Sequence, residues 1–315
     1  MAELSTMLLL QWLFSDIIDE KREKYAGSGR FGGESRNAGA HRMTGQGGIR
    51  LNTEPLSAEP RQVDGALRAR LSEISAAVQL LQRRASEEDR PYLAAASRAA
   101  CRAVRVLNER ELARRLEDED ELRAVFATMD LVDWCRGAAE HADELLAAAD
   151  LAVKFQADRT ALVTLADQEL LEQLLYALLS NAAKAAKAAR PGGTLTVTLA
   201  ARGKRAVLTV GDEGAGMAEE TIARLFQEPD GSVPLSPESG AGFGLRLART
   251  IAEVHGGVLV LENTPGTGVR AAVSLPIREG CRTGLESPRL GDDGFDRALV
   301  ALSDVLPAGA FDGRH

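Results

Sequence analysis

The sequence predicts an α+β protein: a two-layer sandwich with a mixed sheet of about five or six strands covered on one face by helices, preceded by a two-helix hairpin. Three observations predict it. Apolar residues recur at helical spacing over residues 63–84 and again over 91–111, separated by the polar break SEEDRP. From residue 120 onward helical patterns alternate with short alternating runs, and the strand pairs read as hairpins, not crossovers. The composition, 45% hydrophobic and 27% charged, is that of a folded chain with a real core.

Taken in order, residues 1–62 carry a short apolar segment and then a linker. Residues 7–14 are apolar, but Glu3 and Asp16 flank them where a signal peptide has basic residues, so a docking helix is expected. No segment approaches the roughly 18 consecutive apolar residues of a membrane span. A protein without a transmembrane segment, in the cytoplasm, is therefore expected. Residues 19–62, rich in Gly, Arg, Ser, Asn and Pro, read as a disordered arm.

Residues 63–119 form the hairpin. Leu67, Leu71, Ile74, Val78 and Leu81 make the first apolar stripe, and Leu93, Ala96, Ala100, Val104 and Leu107 the second. One such hairpin has too little core, so pairing with a second copy into a four-helix bundle, a homodimer, is expected. An acidic connector at 116–122 leads into the domain at 120–277. There a helix from Leu131 to about Ala148 starts after Asp130 as N-cap. Strands at 151–155 and 161–165 flank the turn QADRT, and a long helix runs from Asp167 to Ala189 with Leu170, Leu171, Leu174, Leu175, Leu178 and Ala182 on its buried face. A hairpin at 194–200 and 205–211 follows, then a short helix at 218–226. Another helix begins after Gly244, and strands at 258–262 and 269–275 close the domain. Residues 278–315 read as a tail with one short helix at 295–305 and no assigned function.

Lys and Arg number 38 against 46 Asp and Glu, a net charge of −8, which argues against a nucleic-acid coat protein. The cysteines at 101, 135 and 281 lack metal-ligand spacing and read as reduced thiols.

Four features would converge in such a sandwich. Asn181 and Lys184 share a helix face; an amide oxygen suits Mg²⁺ and a lysine suits a phosphate oxygen. Asp212, followed by Gly214 and Gly216, leaves a strand end as a carboxylate able to accept from an exocyclic amine. Gly240, Gly242 and Gly244 precede a helix whose first turn offers free N–H groups to an anion. Gly266 and Gly268 form a turn beside the presumed base pocket.

The segments LLSNAAKAAK, VGDEGAGM, IARLF, SGAGFGLRLARTIAEVHGG and TPGTGVRAAVSLP resemble, in order, the N, G1, F, G2 and G3 boxes of the ATP-binding domain shared by sensor histidine kinases, gyrase-type ATPases, the 90 kDa heat-shock chaperone and MutL-type mismatch-repair ATPases. The HGG and PGTG elements are most similar to the histidine kinase branch. The resemblance implies ATP and Mg²⁺ as cofactors, with Asn181 on the metal, Lys184 on phosphate and Asp212 on the adenine amine. It implies Gly214 and Gly216 in the base pocket, Gly240, Gly242 and Gly244 around the phosphates, and residues 227–239 as a lid. Leu245, Gly266 and Gly268 complete the expected cofactor-binding set. The hairpin resembles the family's dimerisation and phosphoacceptor module, and a response regulator or other signalling protein is the implied partner, with no nucleic acid.

Two positions depart from that pattern. Ala177 stands where the family usually has Asn or Glu, which removes the residue that activates water in the gyrase-like branch. Laid over the family's HELRTPLTAI pattern, GALRARLSEI places Gly65 at the phosphorylatable histidine and Ala66 at its acidic neighbour. His41, His141, His255 and His315 all lie off the acceptor helix. No catalytic residue is assigned, and autophosphorylation is not expected. The alternatives are a nucleotide-gated interaction module without phosphotransfer and a serine kinase of the anti-sigma-factor type, which usually lacks the hairpin.

Overall fold

Two long helices open the described part of the chain, α1 (Pro60–Gln82) and α2 (Arg90–Glu117). The computed structural model describes residues 60–117, 124–217, 222, 243–264, 266–278 and 295–313. The apolar run at 7–14, the arm, the acidic connector from 118, the helix expected at 218–226 apart from Ile222, the lid at 227–239, Gly240 and Gly242 lie outside the described residues. The turn between the helices is closed by Ser86, whose Oγ donates to Asp89 Oδ2 at 2.6 Å and accepts from the Asp89 amide at 3.2 Å. Arg68 donates to Asn108 Oδ1 (2.6 Å) and Glu111 Oε2 (3.2 Å) across the hairpin.

The expected stripes are only partly internal. Val78 is buried and Leu71 half-buried, but Leu67, Ile74 and Leu81 remain 47%, 51% and 59% exposed. On α2, Ala100, Val104 and Leu107 are buried as expected, whereas Ala96 is exposed and Ala94 and Cys101 take the inner face instead.

The second part is a sandwich. A strand that the periodicity did not reveal, β1 (Ala127–Asp130), precedes α3 (Leu131–Ala147). Asp130 Oδ1 accepts from the amide of Val132, capping α3, and from that of Leu162, both at 2.9 Å. One carboxylate thus joins the helix start to the chain entering β3 (Val163–Ala166), which pairs antiparallel with β1. The strand β2 (Leu151–Ala157) therefore does not form a hairpin with β3, contrary to expectation. It pairs in parallel with β4 (Gly193–Arg202). Helix α4 (Gln168–Ala189) returns the chain so that β4 runs alongside β2 in the same direction, the crossover that parallel pairing requires.

The remaining strands do pair antiparallel: β4 with β5 (Arg205–Gly211), β5 with β7 (Gly268–Pro276), and β7 with β6 (Val258–Thr264). The sheet order is β2-β4-β5-β7-β6. Alternate residues of β4 and β5 pair in the core, Val197 opposite Val210 and Leu199 opposite Leu208. Every residue expected on the buried face of α4 is buried, Leu171, Leu174 and Leu175 completely. Helix α5 (Phe243–Val254) contributes Leu245, Leu247, Ala248, Ile251 and Ala252 to the same core. Burial pushes the thiol of Cys101 up to about 11 and that of Cys135 to about 12, so both are unreactive near neutrality.

Residues 295–313 fold onto this core. They comprise α6 (Arg297–Leu302), capped by Asp296, and a 3₁₀ turn (Ala308–Phe311). Phe295, Leu302, Val305, Leu306 and Phe311 are buried with side chains of α2, α3 and α4. Gln82 at the end of α1 donates to the Phe311 carbonyl at 2.6 Å, tying the last turn to the hairpin.

Candidate nucleotide site

Helix α4 supplies one wall of the site, with Asn181 half-buried and Lys184 one turn later. Helix α5 approaches it through Gly244. A Cβ there would stand 3.0 Å from Asn181 Nδ2 and 3.4 Å from its Oδ1, so glycine lets the first turn of α5 sit closely on the Asn181 amide, and a larger residue would have to displace that side chain. Leu245 turns inward and is 6% exposed, so its side chain belongs to the core.

Asp212 ends β5 at the other end of the site. Its Oδ1 accepts from the amides of Gly214 (2.8 Å) and Val269 (3.4 Å). Burial raises its carboxyl above the usual range, against the opposing pull of those two bonds. A Cβ at Gly214 would meet Ala185 at 3.1 Å, which seats the loop against α4 one turn beyond Asn181. At Gly268, φ is +113° and a Cβ would fall 2.1 Å from the Asp212 carbonyl oxygen; only glycine fits. Gly266 donates to the Ala215 carbonyl at 2.9 Å, and Gly216, like Gly266, has positive φ.

Asn263 completes this seam and was not singled out in the sequence. Its Oδ1 accepts from the Met217 amide (2.8 Å) and its Nδ2 donates to the Met217 carbonyl (3.0 Å). Its place at the head of the NTPGTG turn was the available signal. The structure thus brings together Asn181 with Gly244, and Asp212 with Gly214 and Gly268, along one helix.

Lys184 is engaged elsewhere. Its Nζ donates to Asp304 Oδ2 at 2.9 Å, and Lys187 Nζ to the Val305 carbonyl at 2.7 Å. A cavity of about 520 Å³ lies between α1, α2, α4, α5 and α6, reached by Ala177, Ser180, Asn181, Gly244, Arg68 and Arg297. Asp212 does not line it, so it opens on the Asn181 end of the site and not on the Asp212 end.

Among the described residues no group of three or more His, Cys, Asp or Glu could hold a metal ion. A single amide oxygen at Asn181 suits an ion whose remaining ligands are water and phosphate, as with Mg²⁺. Gly214 and Gly268 are themselves buried and Gly244 is half-buried, so these glycines let the loops and the α5 N-terminus pack closely around the site.

Residues 166–279 match the family model described as histidine kinase-, DNA gyrase B-, and HSP90-like ATPase. This segment is thus similar to the ATP-binding domains of that family. Relatives agree. The chain is 38% identical over 114 residues to the circadian input-output histidine kinase CikA of Synechococcus elongatus, covering 35% of this chain and 15% of CikA. It is 37% identical over 117 residues to the histidine protein kinase DivJ of Caulobacter vibrioides, covering 36% of this chain and 18% of DivJ. The chain therefore spans under a fifth of those relatives' lengths. Full-length ShkA in complex with AMPPNP has a similar fold, with a TM-score of 0.55 at 22% identity, covering 70% of this chain and 46% of that one.

Two further residues bear on chemistry. His255, in the HGG element, is buried; its Nδ1 donates to the Ile251 carbonyl (2.8 Å) and its Nε2 accepts from the Asp167 amide (3.1 Å). Burial lowers its pKa, so it is a neutral ring joining the end of α5 to the start of α4. Gly65 lies exposed on α1, and a Cβ there would meet nothing within 4 Å. Among the described residues no helix is long and apolar enough to cross a membrane.

Proposed function

We propose that this chain binds Mg²⁺·ATP at the α4–α5 site, pairs with a second copy through α1 and α2, and does not phosphorylate itself on histidine. The observation that carries the reading is the seating of Gly244 on Asn181 and of Gly214, whose amide donates to Asp212, against Ala185 on the same helix. Asn181 would offer an oxygen to the metal, Lys184 a charge to a phosphate, and Asp212 an acceptor to the adenine amine. Bound Mg²⁺·ATP would supply a transferable γ-phosphoryl group; the chain orients it but has no nucleophile at position 65. Glycine at 65 has no side chain to attack, and the methyl of Ala177 cannot activate water. Phosphate, if transferred, goes to a second protein, with a response regulator of a two-component system the partner that the domain type suggests.

The exposed Leu67, Ile74 and Leu81 support the dimer, because three large apolar side chains on one helix face lose contact with water only against another surface. The hairpin also disfavours the anti-sigma-type serine kinase. A nucleotide-gated module without phosphotransfer is the second reading, favoured by the lack of a base or nucleophile at Ala177 and Gly65.

Incubation of the full chain with γ-labelled ATP, alone and with purified response regulators, separates these readings. Label on a regulator and none on this chain is the result expected. Label on no protein favours the gated module, and acid-labile label on this chain contradicts the loss of the acceptor.

A further inference from the structure

The turn that follows α6 is gripped by five cationic side chains from two helices. From α2, Arg98 donates through Nε to the Ser303 carbonyl (3.1 Å) and through Nη2 to the Asp304 carbonyl (3.3 Å). Arg102 Nε lies 3.5 Å from Asp304 Oδ1, and Arg105 Nη1 donates to Asp304 Oδ2. From α4, Lys184 donates to the same Oδ2 and Lys187 to the Val305 carbonyl. Each helix thus turns a row of positive charge toward the other, an arrangement that repels unless something negative lies between. Asp304 supplies that charge, and the carbonyls of residues 303–305 supply the remaining acceptors.

The turn is anchored from below. Ser303 and its neighbours Leu302 and Leu306 are wholly buried, and Val305 is 2% exposed. Asp304 itself is partly exposed. Burial pushes its carboxyl up, but the Lys184 hydrogen bond and the charges of Arg105 and Arg102 outweigh this and hold it below the usual range. It is therefore an anion whenever the chain is folded near neutrality.

We propose that residues 295–313 form an inhibitory clasp, in which Asp304 takes the lysine that a nucleotide phosphate needs and simultaneously pins hairpin helix α2 to helix α4 of the ATP-binding domain. The inference rests on the reading of Lys184 as a phosphate ligand. A phosphate oxygen and the Asp304 carboxylate, both seated on one ammonium, would repel. Nucleotide binding and the closed clasp therefore oppose each other, and the apparent affinity for ATP is reduced by the fraction of molecules in which the clasp is shut. Bound nucleotide in turn loosens α2 from α4, coupling the ATP site to the hairpin.

Calorimetric titration of Mg²⁺·ATP into the full wild-type chain, Asp304→Asn and Arg98→Ala tests this, with a thermal unfolding scan on each. Asp304→Asn keeps the side chain's shape and removes the charge; affinity should rise roughly three- to tenfold. Arg98 lies on the hairpin, outside the nucleotide-binding set, and its truncation should raise affinity in the same direction by a smaller factor. Hydrogen exchange supplies a readout free of mutation: ATP added to the wild type should speed exchange in residues 295–313. Equal or weaker binding by both variants, or exchange in 295–313 that ATP leaves unchanged, overturns the clasp while leaving the nucleotide site intact. Failure of all three chains to bind ATP overturns the reading of the site and the clasp with it.

Discussion

His255 and His141 show how one residue type does opposite work in this chain. His255 is depressed by burial, so as pH falls below about 6.5 the unfolded chain takes up a proton that the folded ring resists, and stability falls in acid. His141 is raised, chiefly by its 2.7 Å hydrogen bond to Asp296. Its contribution is fully present below about pH 6.5 and is lost as pH rises through its raised folded value. Because Asp296 caps α6, thermal melts of His141→Gln should show weaker pH dependence than wild type above pH ~6.5, with acid destabilisation from His255 retained. Gly65 gives a cleaner case. A helical, exposed glycine with open space around it should yield a gain of about 0.5–1 kcal/mol in Gly65→Ala by chemical denaturation, with ATP binding unchanged. Gly268→Ala should do the reverse, losing about 2 kcal/mol or more and weakening nucleotide binding, because its Cβ would drive into the Asp212 carbonyl.

At the scale of elements, helices were the legible part. Leu170 to Ala182 on α4 repeat at helical spacing and are all buried, and Asp130 and Asp167 cap their helices as short acceptors before apolar runs do. Pairing of β2 was not legible, because alternation along a strand is the same whether its neighbour is the next strand or one beyond a helix. The four residues of β1 are too few to show a period at all. The stripe on α1 was legible, and Leu67, Ile74 and Leu81 lie on a face that the described residues do not cover, where the sequence reading expects a second copy. Light scattering should therefore report a dimer at tens of micromolar, and Ile74→Glu should shift it to monomer, since a charge would be buried unpaired in the bundle.

For the whole molecule, the site and its control differ in how far the sequence announces them. Asn181, Lys184, Asp212 and the glycine turns are local patterns in a fixed order, each readable from a few neighbouring residues. The contacts of residues 295–313 are not local. Asp304 meets Lys184 across 120 positions and Arg105 across 199, and no spacing rule connects them. Leu306→Ala, buried at 0% exposure, should cost about 2–5 kcal/mol although it lies near the end of the chain, as thermal or denaturant unfolding would show. The central claim is that α4, α5 and the Asp212 loop together bind ATP. Calorimetry of Mg²⁺·ATP with wild type, Asn181→Ala and Asp212→Ala, each confirmed as folded by a thermal scan, tests it most directly: wild type should bind, and each variant should lose about tenfold or more in affinity. Affinity unchanged in both variants would contradict it.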